Sequence, residues 1–177
     1  MKVLVTGAAG FIGSHTAERL VSLGHDVIGV DNFSPYYSVE LKELNAKKLT
    51  EKGVSMIRHD LRTNNLIRIL PLDIDYIFHF AAQPGISASS TFEDYFSNNI
   101  IATKNLIDYA LTCKQLKLFV NIGTSSIYGL EATFPEGIAP QPASHYGVTN
   151  LAAEQLVLQT SRELKVKSCS LRLYSVI

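Results

Sequence analysis

Met1-Lys-Val-Leu-Val-Thr-Gly-Ala-Ala-Gly-Phe-Ile-Gly-Ser14 is the stretch that decides the fold. A short apolar run, Val3 to Val5, stops at Gly7 and passes through Gly10 and Gly13 into a helical pattern. A strand that turns on glycines straight into a helix presents backbone N–H groups and the positive end of a helix dipole to an anion. Gly7 allows the tight turn, Gly10 lets a pyrophosphate approach the backbone, and Gly13 lets helix pack closely on strand. The Gly-x-x-Gly-x-x-Gly spacing differs from the usual Gly-x-Gly-x-x-Gly, and glycines also mark ordinary turns. Context is what strengthens it: a strand before, a helix after, and Asp31 standing 18 positions past Gly13.

Outward from that loop, strands and helices alternate. Phe11 to Leu23 reads as a helix stopped by Gly24, and Asp26 to Val30 as a strand that is apolar after its first residue. Such uninterrupted apolar strands belong in a sheet covered on both faces. A charged helix is expected from about Ser38 to Lys52, then strands at Val54–Ile57 and Ile74–Phe80. A long helix from about Phe92 to Thr112 carries Tyr95, Phe96, Ile100, Thr103, Leu106 and Ile107 at 3–4 spacing. A fifth strand, Leu118 to Ile122, a Pro-rich loop from Pro135 to Pro142, a helix from about Ser144 to Leu164 and a sixth strand, Lys167 to Leu173, complete the chain. The alternation predicts an α/β fold, a Rossmann-type, doubly wound parallel sheet with right-handed crossovers in three layers, α/β/α.

The totals restrict function. With 177 residues the chain is expected to form one domain over 1–177. Lys plus Arg and Asp plus Glu are both 16, so the net charge of zero asks for no nucleic acid. Cys113 and Cys169 are far apart and have no metal-ligand spacing, which suits a reducing cytoplasm and a site without metal. No apolar run approaches the ~20 residues of a membrane span, and the apolar N-terminal stretch is a strand rather than a signal segment. A soluble, cytoplasmic protein with no membrane contact is the expectation.

Several strand ends carry polar residues where open α/β sheets bind ligands. A carboxylate at Asp31 can accept both ribose hydroxyls and repel a 2′-phosphate, favouring NAD over NADP; the alternative is an acid ending a strand in a turn. Asp60 stands after the third strand as an adenine contact or a solvated turn acid. Ala81-Ala82-Gln83-Pro84-Gly85 follow the fourth, small enough for a flat or charged ligand to come close. His79 reads as strand-end packing. Thr124, Ser125 and Ser126 follow the fifth strand, and Tyr146 opens the next helix. An unperturbed Tyr has a pKa of about 10, so it needs a neighbouring cation to act as a base near neutrality. One helical turn on, position 150 is Asn. Ser125 and Ser126 lie in no Gly-x-Ser-x-Gly, and no Gly-Lys-Ser/Thr follows the glycine loop, so a hydrolase elbow and an NTP-binding P-loop are both disfavoured.

Taken together, Thr6-Gly-Ala-Ala-Gly-Phe-Ile-Gly13, Asp31-Asn32, Asp60-Leu61, His79-Phe-Ala-Ala-Gln83, Asn99, Thr124-Ser-Ser-Ile-Tyr-Gly129 and Tyr146-Gly-Val-Thr-Asn150 resemble the N-terminal half of an extended short-chain dehydrogenase/reductase. The resemblance is to the NAD-dependent epimerase/dehydratase family, and Asp31-Asn-Phe-Ser-Pro-Tyr-Tyr37 with Leu41-Lys42 is most similar to its UDP-glucuronate 4-epimerase branch. It implies an NAD-dependent nucleotide-sugar epimerase, which oxidises the sugar C4 hydroxyl by hydride transfer to NAD and re-reduces the keto sugar on its other face. By the same resemblance Gly7, Gly10, Phe11, Ile12 and Gly13 cradle the pyrophosphate, Asp31 and Asn32 hold the adenosine ribose, and Asp60 and Leu61 meet the adenine. Phe80, Ala81, Ala82 and Gln83 line the way to the nicotinamide, and Asn99 and Tyr146 also belong to the implied cofactor-binding set. Thr124 and Tyr146 are the implied catalytic pair, with Asn150 at the catalytic lysine's position. The family's dehydratases place Asp-Glu after the threonine; Ser125-Ser126 here argue against that branch. The implied partners are a UDP-sugar and a second copy of the chain, paired through helices about 92–112 and 144–164. The family's sugar-nucleotide domain is expected to be absent from these 177 residues. The alternative is a non-catalytic or truncated NAD-binding module.

Overall fold

A computed structural model describes residues 1–85, 90–131, 135–164 and 166–176. Six strands, β1 (Lys2–Thr6), β2 (Asp26–Asp31), β3 (Ser55–Arg58), β4 (Tyr76–His79), β5 (Leu118–Thr124) and β6 (Lys167–Leu173), form one sheet in the order β3-β2-β1-β4-β5-β6. Every pairing is parallel, with Thr6 beside both Val30 and His79. The order reverses between β1 and β4, and at such a switch point the crossovers diverge and leave a crevice at the strands' C-terminal ends.

Strand alternation sorts the core into two layers. Val3, Val5 and Val27 face one side and pack with Ala17 of α1 (Phe11–Ser22) and Leu49 of α2 (Val39–Glu51). Leu4, Ile28 and Ile77 face the other, against Leu106 and Ile107 of α5 (Ala102–Ala110) and Val157 of α6 (His145–Leu164). A short α3 (Leu66–Ile69) adds Leu66 to this second layer. Helices thus cover both faces, as the three-layer reading requires. Among the described residues, no helix is long and apolar enough to cross a membrane, and no group of three His, Cys, Asp or Glu could hold a metal.

Differences from the sequence reading have local causes. The third strand starts at Ser55, because Val54 donates its N–H to Leu49 O and its apolar side chain caps the end of α2. The fourth covers Tyr76–His79, with buried Ile74 packed below the sheet. The fifth runs two residues further than expected, since pairing with β6 continues to Thr124 opposite Leu173. The expected 92–112 helix is continuous but mixed. α4 (Phe92–Tyr95) opens on a capping box between Thr91 and Asp94, and a π-helical segment, Phe96–Ile101, joins it to α5.

Candidate functional site

At the switch point lies a cleft of about 900 Å³. Its floor is the glycine loop. Gly7 has φ +67°, and a Cβ there would come within 2.8 Å of Ala81 N; a Cβ on Gly13 would collide with Gly7 O. Neither position admits a side chain, so strand, turn and helix stay in contact. Gly10 opens α1 with no side-chain cap, and the first turn holds no acidic residue. The helix's leading N–H groups and its dipole are therefore offered to an anion from outside.

Asp31 closes the cleft at the end of β2. It is buried, with Oδ2 accepting from Ala9 N at 3.1 Å and Oδ1 from Phe33 N at 2.8 Å. Lys42 Nζ stands 4.0 Å from Oδ1 and donates to Ser34 O at 2.9 Å. Phe33 adopts φ +55°, an uncommon backbone for a bulky residue, held by the Arg58 guanidinium 3.7 Å above its ring. Asn32 donates to Asp60 Oδ2 at 3.3 Å. The Arg62 guanidinium binds both oxygens of Asp60 and holds its carboxyl below the usual range.

Behind Phe80–Gln83 runs a buried polar chain. His79 Nδ1 meets Thr6 Oγ1 at 2.7 Å and its Nε2 meets Thr103 Oγ1 at 2.9 Å. Thr103 Oγ1 donates to Asn99 O at 2.6 Å, so the consistent assignment has Nε2–H donating and Nδ1 accepting. Burial pushes the His79 pKa down to about 4, which keeps the ring neutral. Asn99 is itself buried: Oδ1 accepts from Gln83 N at 2.7 Å and Nδ2 donates to Thr149 Oγ1 at 3.1 Å. It braces the loop after β4 against α6 and does not line the cleft; its neighbour Asn98 does.

Tyr146 sits in the first turn of α6 with its ring over Gly85, where a Cβ would strike the ring carbons. Tyr95 lies 6.1 Å away, centroid to centroid. Burial raises the Tyr146 pKa above its ordinary value, a hydrogen bond from Thr124 lowers it, and Tyr95 and Tyr36 raise it. Thr124 Oγ1 also accepts from Ser126 N at 3.1 Å and contacts Ser126 Oγ at 3.2 Å. Asn150, 5% exposed, donates from Nδ2 to the backbone O of Tyr146 at 2.9 Å.

Gly7, Gly10, Phe11, Ile12, Gly13, Asp31, Asn32, Asp60, Leu61, Phe80, Ala81, Ala82, Gln83, Thr124, Tyr146 and Asn150 all line this one cleft; Asn99, which the resemblance also gives to the cofactor, stands behind it. The structure adds Tyr36, Tyr37 and Asn45, and brings Lys42 into the wall beside Asp31. Two adjacent aromatics in an otherwise polar loop after β2 were the available signal for the tyrosines. Lys42 and Asn45 look, in sequence, like ordinary exposed positions of a charged helix.

Comparison with known proteins identifies the family. The sequence matches the NAD dependent epimerase/dehydratase family over residues 3–177. It is 38% identical to the "Uncharacterized UDP-glucose epimerase YtcB" of Bacillus subtilis (strain 168), covering 99% of this chain and 57% of that protein. Against UDP-glucuronate 4-epimerase 6 of Arabidopsis thaliana, identity is 34%, over 99% of this chain and 40% of the relative. The crystal structure of UDP-glucuronic acid 4-epimerase from Bacillus cereus, in complex with UDP-glucuronic acid and NAD, superposes with a TM-score of 0.88 at 37% identity, covering 97% of this chain and 56% of that one. The chain thus spans roughly half the length of these relatives, and it belongs to the NAD dependent epimerase/dehydratase family.

Proposed function

We propose that this chain is the NAD-binding part of a UDP-sugar 4-epimerase, and that its own cleft contributes the Thr124–Tyr146 pair to the reaction. The observation that carries the proposal is the convergence of glycine loop, ribose-side carboxylate and Thr/Tyr pair on one cleft. The side-chain-free cradle at Gly7 and Gly13 fits a pyrophosphate, and the buried Asp31 oxygens fit a 2′,3′-diol. When bound, NAD supplies the hydride acceptor and donor. Gly10 and the leading amides of α1 bind the pyrophosphate, Asp31 and Asn32 orient the ribose, and Asp60 with Leu61 borders the adenine. Phe80, Ala81, Ala82 and Gln83 line the approach to the reacting ring, and Asn99 fixes that segment from behind. Thr124 Oγ1 orients the sugar hydroxyl, and the Tyr146 hydroxyl takes and returns its proton. Relatives with UDP-glucuronate and UDP-glucose in their names support a UDP-hexose or UDP-hexuronate as the substrate class. Exposed Phe92, Phe96 and Val148 on α4, the segment after it and α6 support a homodimer through those helices. The two free thiols suit a reducing, cytoplasmic setting.

One observation favours a second reading, an NAD-binding module with little turnover. Among the described residues no cation bears on Tyr146, and burial raises its pKa. The test is proton NMR of UDP-glucuronate and UDP-glucose incubated with NAD and the whole protein containing this chain. Appearance of the C4 epimer, lost in Tyr146→Phe, supports the epimerase. NAD binding without epimer supports the module.

A further inference from the structure

A carboxylate 1% exposed cannot stand uncompensated, and Glu154 of α6 is such a group. Its partner is Arg172 of β6, which grips both oxygens, Nη2 to Oε1 at 2.7 Å and Nε to Oε2 at 3.1 Å. The rest of the guanidinium reaches elsewhere. Nη1 donates to the Tyr128 hydroxyl and to Glu136 O at 3.3 Å, and the cation lies 5.2 Å from the Tyr128 ring centroid. Tyr128 ends the 3₁₀ turn Ser125–Tyr128 that follows Thr124, and Arg172 pairs across the sheet with Gly123. The turn is tied again by Gln141 N donating to Ile127 O at 2.9 Å. It packs on α6 at Gly147, where a Cβ would sit 2.6 Å from Ser126 O. One guanidinium therefore joins β6, α6, the turn after Thr124 and the segment around Glu136.

We propose that Arg172 and Glu154 are positioning residues: a clamp, anchored on the buried Glu154 carboxylate, that holds the Thr124 hydroxyl in register with the Tyr146 hydroxyl two helical turns from Glu154. The functional weight of that register rests on the epimerase reading; the clamp itself is a property of the ligand-free chain and is tested there. The groups that bear on Tyr146 are Thr124 from the end of β5, Tyr95 from α4, and Tyr36 and Tyr37 from the loop after β2, with none of them cationic. Of these only Thr124 favours the ionised form, so loosening the clamp must move the Tyr146 titration upward.

The experiment places fluorotyrosine at position 146 and follows its single fluorine resonance against pH, without cofactor. Glu154→Gln/Arg172→Met replaces the ion pair by neutral groups of similar size, so that neither charge is left uncompensated. Arg172→Lys keeps a charge for Glu154 and removes the fork to Tyr128 and Glu136. The expected result is an upward shift of roughly half a pH unit or more in the double variant and a smaller one in Arg172→Lys. A clamp that merely stabilises the fold would lower the unfolding temperature and leave the resonance and its titration at the wild-type position. An unmoved titration in folded Arg172→Lys and in the double variant overturns the proposal; should the double variant not fold, Arg172→Lys decides alone. Failure of the wild-type chain to bind NAD would instead count against the functional reading and leave the clamp result standing.

Discussion

Asn150→Lys is the substitution whose consequence follows most directly from the site. Residues four apart on a helix share a face, so a lysine ammonium here comes within roughly 6 Å of the Tyr146 hydroxyl. At an effective dielectric constant near 20, a unit charge at that distance is worth about 3 kcal/mol, or about two pH units of Tyr146 pKa. The sign is downward, because the cation favours tyrosinate, and it opposes the burial that now raises the pKa. The ionised fraction near neutrality should rise on the order of a hundredfold. The same change removes the hydrogen bond from Asn150 Nδ2 to Tyr146 O, at a cost of about 1 kcal/mol of stability. Fluorotyrosine at position 146 reads the pKa, and urea unfolding reads the stability. In the whole protein, epimerisation of a UDP-hexose should accelerate. A Tyr146 titration displaced by less than about 0.3 pH unit, with lysine charged, refutes the electrostatic reasoning. So does a wild type that already turns over as fast as the variant.

Two further outcomes concern the scaffold. The His79 pKa of about 4 lies below its unfolded value of 6.5, so the unfolded chain takes up the proton first. Stability should be full above pH 6.5 and fall by up to about 3 kcal/mol between there and pH 4, a slope that His79→Gln should flatten in unfolding curves. Gly85→Ala puts a methyl into the Tyr146 ring and should cost about 1–3 kcal/mol while displacing the position-146 fluorine resonance; an unchanged resonance would show that the ring does not rest on Gly85.

How much of this was legible before the fold was known can be argued from particular residues. Gly7, Gly13 and Asp31 could be read in sequence because their constraints are local: a turn, a close approach, a strand end. Thr124 was placed after its strand, since only the pairing with Leu173 on β6, 49 residues away, extends β5 to include it. Asn99 is cofactor-binding by resemblance alone, and the structure turns its amide to Gln83 and Thr149. The π-helical segment carrying it closes i→i+5 turns, which shifts the side-chain phase away from the 3–4 spacing and leaves Asn99 as the segment's buried residue. In sequence, Arg172 and Glu154 are charges on a strand and a helix with nothing local to join them. Their pairing, and the burial of Glu154, are products of three elements meeting, which no single stretch of sequence encodes.

The central claim is that the cleft takes NAD, with Asp31 at the ribose. Calorimetric titration of the chain with NAD and then with NADP tests it most directly. In the proposed reading the buried Asp31, with Lys42 no nearer than 4.0 Å, would accept a diol and oppose a 2′-phosphate. One saturable NAD site, with NADP at least about tenfold weaker and the difference lost in Asp31→Ala, is the predicted result. No NAD binding, or equal affinity for both dinucleotides, would contradict the account.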